Sequence, residues 1–169
     1  MGRMDGKISL VTGGAMGIGE VVVRFLVREG SKVVLSDINE EKGNAVADSI
    51  GENALFIRHD VSDEAQWISV IEKTVSVFGR LDVLVNNAGI VQVSDVEETT
   101  MEDWRAVHAV HMDGVFLGCK HAIPVMRKGG GGSIVNMSSL AAIGGYPKVF
   151  AYTASKGAIR AMTKSVAVH

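Results

Sequence analysis

The chain has 169 residues with 47% of them apolar and a net charge of −2, enough for one domain with a covered core and no basic excess to mark a nucleic-acid partner. Its one cysteine, Cys119, excludes an intrachain disulfide and suits the cytoplasm. The N-terminal stretch "MGRMDGKISLVTGG" lacks the apolar core and cleavage site of a signal peptide and has Gly6 where a myristoylation signal needs Ser or Thr; no apolar run approaches the ~20 residues of a membrane span.

Short β-branched runs alternate with longer amphipathic stretches. The first run, "KISLVT" (7–12), leads through a glycine-rich turn into a helix over about 17–29, stopped by Gly30. "KVVLSD" (32–37) is a second strand, followed by a helix over about 39–50. "NALFIRHD" (53–60) is a third strand, followed by a helix over about 63–78 that ends at Gly79. The fourth strand covers 82–86. One long helix is expected over about 101–127, its start marked twice by capping-box spacing, Thr99 with Glu102 and Thr100 with Asp103. "KGGGGS" (128–133) reads as a tight exit into the fifth strand (133–137), and a last helix begins near Phe150. The strand cores VVL, LFI, VLV and IV are too uniformly apolar for a sheet with one wet face. Repeated βα units of this kind predict an α/β fold, a doubly wound parallel sheet in one domain over 1–169.

"TGGAMGIG" (12–19) lies between the first strand and the first helix, with Gly13, Gly17 and Gly19 spaced G-x-x-x-G-x-G. Such a turn lets backbone approach a phosphate, and the following helix offers unpaired N–H groups and a partial positive charge. Asp37 ends the second strand 18 residues beyond Gly19, where a carboxylate accepts hydrogen bonds from an adenosine ribose and repels a 2′-phosphate. Ile38 and Asn39 follow it with no basic residue, which predicts NAD rather than NADP. The same position is compatible with Asp37 simply capping the next helix.

"AYTASKGAIRAM" (151–162) places Tyr152 and Lys156 four apart in a helix-forming run, hence on one face. Alone, the pair also reads as a core aromatic beside a solvated charge. His108 and His111 are three apart on one expected helical face, but no carboxylate or cysteine completes a ligand set, and no metal is expected.

Taken together, "TGGAMGIG", Asp60 and Val61, "NNAG" (86–89), "IVNMSS" (134–139) and "YTASK" (152–156) give a chain that resembles the short-chain dehydrogenase/reductase family over essentially its whole length. The resemblance implies a Rossmann fold and a catalytic set of Ser139, Tyr152 and Lys156. Tyr152 is implied as the general acid/base and Ser139 as the hydrogen-bond partner of the substrate oxygen. Lys156 is implied to bind the nicotinamide ribose and to favour the phenolate of Tyr152. A free phenol, with a pKa near ~10, is a poor base at neutral pH, and a nearby ammonium and the oxidised nicotinamide both favour its ionised form. The implied cofactor-binding set is Gly13, Gly17, Ile18, Gly19, Asp37, Ile38, Asp60, Val61, Asn87, Ala88 and Gly89, with Tyr152 and Lys156; Asn86 is implied to tie neighbouring strands together. One departure concerns His111, in "HMDGVFLG", where the family usually has an asparagine that helps hold a proton-relaying water. An imidazole can donate and accept, so His111 joins the catalytic candidates as a relay substitute; it equally fills space or disrupts the relay.

Family members usually run to about 250 residues, so the resemblance implies that this chain is the N-terminal two-thirds of a longer one, cut inside the active-site helix. The fifth strand is then an exposed apolar edge, an aggregation liability. A homodimer or homotetramer is implied, with Ala151, Ala154, Ala158 and Ala161 allowing close approach of a partner helix or of the chain's own sheet. Leu140, Ala141, Ala142, Ile143, Tyr146, Val91 and Val93 are expected pocket walls, suited to an apolar alcohol or ketone. The expected function is an NAD-dependent dehydrogenase acting on a secondary alcohol. A non-catalytic dinucleotide-binding scaffold and an NAD-dependent epimerase or dehydratase are the alternatives.

Overall fold

Five parallel strands in the order β3-β2-β1-β4-β5 run through the molecule, a computed structural model that describes residues 2–168. They are β1 (Ile8–Thr12), β2 (Lys32–Asp37), β3 (Ala54–Arg58), β4 (Val83–Asn86) and β5 (Ser133–Asn136). The helices between and after them are α1 (Gly17–Arg28), α2 (Glu40–Ile50), α3 (Glu64–Phe78), α4 (Met101–His108), α5 (Gly114–Lys128) and α6 (Phe150–Ala167). Every residue of β1 is buried, as a central strand covered on both faces requires.

Alternation along the strands divides the core in two. Leu10, Val34 and Leu84, neighbours in register, point to one face and pack on Trp67, Val70 and Ile71 of α3 and on Leu117 and Met126 of α5. Val11, Leu35 and Val85 point to the other, against Val23 of α1 and Val46 of α2. A smaller cluster of Val115, Cys119 and Ile159 joins α5 to α6. Burying one such Leu or Ile side chain contributes about 1.5–3 kcal/mol, so it is this two-sided apolar pattern that sets the frame on which the loops stand.

The helix starts follow local chemistry. Asn39 caps α2, accepting from the Lys42 N–H at 3.0 Å. The Asp37 carboxylate instead accepts from the Asn39 N–H, one step before the helix, at 3.0 Å. Thr100 caps α4, and its Oγ1 accepts from the Asp103 N–H at 3.0 Å. Thr99 stands one residue before the cap and its hydroxyl donates to the Asp95 carbonyl oxygen at 2.7 Å, so of the two expected cap positions only Thr100 accepts from a helix N–H. After α5 the exit closes at once: the Gly131 N–H returns to the Met126 carbonyl oxygen at 2.8 Å and β5 begins two residues later.

The long helix expected over 101–127 is not one α-helix. A π-helical turn, Ala109–Asp113, separates α4 from α5 and carries His111. The inserted residue changes the register, so His108 and His111 serve different partners: His108 packs on Trp104, with ring centroids 3.9 Å apart, while His111 is fully buried. Among the described residues β5 and β3 are the two edge strands, and Val135 is half-exposed on β5. Among those residues no helix is long and apolar enough to cross a membrane.

Candidate active site

The carboxyl ends of the strands carry every motif singled out above. After β1, the turn through residues 13–16 enters α1, whose N-cap, Met16, makes no side-chain hydrogen bond. The first-turn N–H groups are therefore free to meet an anion. The turn is locked to the loop after β4. Thr12 Oγ1 accepts from the N–H groups of Asn87 and Ala88 at 3.0 and 3.1 Å, and Asn87 Nδ2 donates to the carbonyl oxygens of Thr12 and Gly13 at 2.9 and 3.1 Å. On the other side the Asp37 carboxylate accepts from the Ala15 N–H at 3.2 Å, tying the turn to the end of β2. At the end of β4, Asn86 Nδ2 donates to Asn136 Oδ1 at 2.8 Å, joining β4 to β5.

These loops enclose a cleft of about 680 Å³. It brings together Gly13, Ile18, Gly19, Asp37, Ile38, Asp60, Val61, Asn87, Ala88 and Gly89. Gly17 stands outside that lining, at the start of α1 with φ of +57°. Met16, Asn39, His59, Ser62, Ile90, Ala106, Ala109 and Val110 complete the cleft and were not singled out in the sequence. The residues present fit an elongated dinucleotide. The glycine turn and the start of α1 lie at one wall, the Asp37 carboxylate at the end of β2, and no Lys or Arg is among the described lining residues. His59, just after β3, also lines the cleft, its Nδ1 3.1 Å from Ser36 Oγ and its ring edge-on to Trp67. Burial pushes its pKa down to about 4, so it is neutral at pH 7.

At the end of β5 the chain reaches Ser138 and Ser139 and then a 3₁₀ turn, Leu140–Ala142, which packs on α6. Ser139 caps that turn: its Oγ accepts from the Ala141 N–H at 3.1 Å, which leaves its own O–H to donate elsewhere. Tyr152 and Lys156 share one face of α6, with Nζ 5.6 Å from the centre of the phenol ring. Lys156 is only 5% exposed, its Nζ donates to the Met137 carbonyl oxygen at 2.8 Å, and burial lowers its pKa to about 8. Ser138 Oγ donates to the Lys156 carbonyl oxygen at 2.9 Å, a second tie between β5 and α6.

His111 stands behind this pair. Its Nε2 accepts from the Ile90 N–H at 3.0 Å and its Nδ1 lies 2.7 Å from Ser155 Oγ. Desolvation first, then Lys156 and His108, lower its pKa to about 4. Both ring nitrogens are thus engaged by the protein, and neither is free to hold a relay water.

Of the expected pocket walls, Val91, Val93, Leu140, Ile143 and Tyr146 are each more than half exposed. Ala141 departs from the expected wall: in the middle of the 3₁₀ turn, its N–H bonded to Ser139 Oγ, it is buried. The two segments that carry these residues are bridged, Ser94 N–H to the Lys148 carbonyl oxygen at 2.9 Å and Lys148 N–H to Asp95 Oδ1 at 3.1 Å. Lys148 takes the left-handed φ of +58°, the one described non-glycine residue to do so. Of the alanines expected to meet a partner helix, Ala151 is buried within its own chain and Ala161 is exposed.

The functional contacts that sequence reasoning missed are Thr12, Met137 and Ser155. Thr12 belongs to the glycine motif and was legible in position though not in role; a backbone carbonyl at 137 and a helical serine at 155 carry no sequence signal.

Parallel sheet, glycine turn, and a Tyr–Lys helix at the strands' carboxyl ends define a Rossmann-type α/β protein. The chain belongs to the short-chain dehydrogenase family, whose family model for short chain dehydrogenase matches residues 7–169. It is 42% identical over 167 residues to a 3-alpha-(or 20-beta)-hydroxysteroid dehydrogenase of Mycobacterium tuberculosis, covering 99% of this chain and 64% of that protein. It is 45% identical over 169 residues to an NADP-dependent (R)-specific alcohol dehydrogenase of Lentilactobacillus kefiri, covering 98% and 67%. A cyclopentanol dehydrogenase of Comamonas testosteroni is 44% identical over 171 residues, covering 99% and 68%. The chain thus spans about two thirds of the length of these relatives.

Proposed function

We propose that this chain carries the cofactor cleft and proton-transfer groups of an NAD-dependent oxidoreductase that interconverts a secondary alcohol and a ketone. The observation that carries the reading is the Tyr152–Lys156 pair on one face of α6, 5.6 Å from ammonium to ring centre, with Ser139 capping the 3₁₀ turn that packs on that helix. In oxidation the Tyr152 oxygen takes the proton from the substrate hydroxyl while Ser139, through its free O–H, holds the reacting oxygen. In reduction Tyr152 returns that proton. The bound nicotinamide supplies the hydride acceptor or donor. With a pKa of about 8, Lys156 is largely protonated at pH 7, and its charge stabilises the negative charge that passes through the phenolic oxygen.

Asp37 supports NAD over NADP, since its carboxylate ends β2 at the cleft and no described lining residue offers a cation to a 2′-phosphate. The NADP-dependent relative keeps both cofactors in the assay. The exposed Val91, Val93, Leu140 and Ile143 favour an apolar substrate, in keeping with the steroid and cyclopentanol named in two relatives. A homodimer or homotetramer belongs to the same reading; exposed Phe116 on α5 and Ala161 on α6 are the surface that favours it.

The test is the Tyr152→Phe variant of the full-length protein, followed at 340 nm with a panel of secondary alcohols. Loss of about 10²- to 10⁴-fold in turnover is expected, with NAD binding retained. Full activity in that variant would refute the assigned acid/base.

A further inference from the structure

We infer that His111 is a positioning residue, whose neutral imidazole, fixed as the Nδ1–H tautomer, clasps the loop after β4 to α6 and holds Tyr152 through Ser155. The inference rests on the dehydrogenase reading above and assigns a role within that site. Its starting point is the direction of the hydrogen bonds. A backbone N–H can only donate, so the contact from Ile90 N to Nε2 makes Nε2 the acceptor. A neutral ring then carries its proton on Nδ1, which donates to Ser155 Oγ at 2.7 Å. That oxygen's own proton goes to the Tyr152 carbonyl oxygen at 2.7 Å. The chain Ile90 N–H to His111, His111 to Ser155, Ser155 to Tyr152 runs one way, and each donor is used once.

The surroundings enforce it. The ring is fully buried and stands edge-on to the Tyr152 ring, with centroids 5.6 Å apart. A Cβ at position 89 would stand 2.8 Å from His111 Nε2, so Gly89 is what allows the imidazole so close to the loop. The π-helical turn Ala109–Asp113 carries the ring inward. The titratable groups that face it are Lys156 and Tyr152 on α6 and His108 at the end of α4; residues 87–90 contribute none. Protonation would set a second N–H against the Ile90 N–H and break the clasp, so this ring orders the site and does not ferry a proton.

The tautomer is read on full-length protein labelled with ¹⁵N-histidine, using long-range ¹H–¹⁵N correlation and the His111→Asn variant to assign the signal. The Nδ1–H form is expected at pH 7 and down to about pH 5; an Nε2–H form or an imidazolium at pH 7 would overturn the inference, whatever the activity. In kinetics, His111→Phe, which fills the space without either hydrogen bond, is expected to lower kcat on the order of 10- to 100-fold while leaving the KM for NAD within about twofold. His111→Asn, an acceptor and donor of smaller size, recovers most of that loss. Ser155→Ala reproduces the loss, and the His111→Phe/Ser155→Ala pair is no worse than either change alone. Wild-type turnover in His111→Phe, or additive losses in the double variant, would sink it. Should His111→Phe not fold, the tautomer and Ser155→Ala still decide. A Tyr152→Phe variant with full activity removes the dehydrogenase reading without touching the tautomer result.

Discussion

Lys156 Nζ donates to the carbonyl oxygen of Met137 at 2.8 Å, so the cation that reaches toward Tyr152 is fastened to the end of β5. One hydrogen bond does not repay the loss of water around a buried ammonium. The site therefore holds a charge that the fold would be more stable without, a cost tolerated where chemistry needs it.

That cost has a pH signature. The Lys156 pKa falls from 10.5 to about 8 on folding, so the unfolded chain binds more protons between those values. The lysine's contribution to stability is fully favourable only above 10.5 and is lost as pH falls through about 8, an interval worth roughly 3 kcal/mol. Lys156→Met removes the charge and leaves the Met137 carbonyl without its donor, a cost of about 1–2 kcal/mol. Urea denaturation of the two proteins at pH 7 and pH 10.5 is expected to show the variant gaining on the wild type by up to roughly 3 kcal/mol at the lower pH. A stability difference that did not change with pH would mean that the ammonium is well hydrated.

The two glycines at the head of α1 separate two kinds of constraint. Gly17 has φ of +57° with open space where a Cβ would go. Gly17→Ala meets only backbone strain, about 1–2 kcal/mol. At Gly19 a Cβ would overlap the Gly13 carbonyl oxygen and stand 2.6 Å from Asn87 Nδ2. Gly19→Ala must move the turn itself, breaking the Asn87–Gly13 contact that sets the cleft wall. Calorimetric titration with NAD is expected to show Gly17→Ala within about tenfold of wild type and Gly19→Ala with no measurable binding. Equal affinities would show that the turn near Gly19 is free to adjust.

The frame was legible because it rests on local signals. Uniformly apolar strand cores, the Gly30 and Gly79 stops, and the Thr100 cap each act within a few residues, and the structure places elements there. The glycine motif and the 152–156 stretch were legible for the same reason. What was hidden acts at long range: Thr12 meets the Asn87 N–H 75 residues on, and His111 meets Ser155 44 residues on. Small hydroxyl residues announce nothing until the fold supplies their partners. The π-helical turn was hidden for another reason. Residues 109–113 contain neither Gly nor Pro, and the α-helical period survives on both sides, so only packing reveals the inserted residue. The inward histidine and the split of the long helix are thus one event, and the sequence showed its only trace as an imidazole at an unusual position.

Asp37 offers the sharpest test of cofactor choice. Its carboxylate already accepts from the Ala15 and Asn39 N–H groups, at 3.2 and 3.0 Å, which fixes it in orientation at the end of β2. An ionised carboxylate has further lone pairs for two ribose hydroxyls, and its charge opposes a 2′-phosphate. Asp37→Asn keeps the shape and one acceptor oxygen and removes the charge. Its amide has to choose between its two N–H neighbours and the ribose, so NAD affinity falls, while the repulsion of the phosphate is gone. The ratio of NAD to NADP affinity is expected to drop by about tenfold, equivalent to ~1.4 kcal/mol. Fluorescence titration of both dinucleotides against both proteins measures it. A ratio unchanged by the substitution would place cofactor choice with neighbours such as Ile38 or Asn39, and would remove the electrostatic ground for preferring NAD.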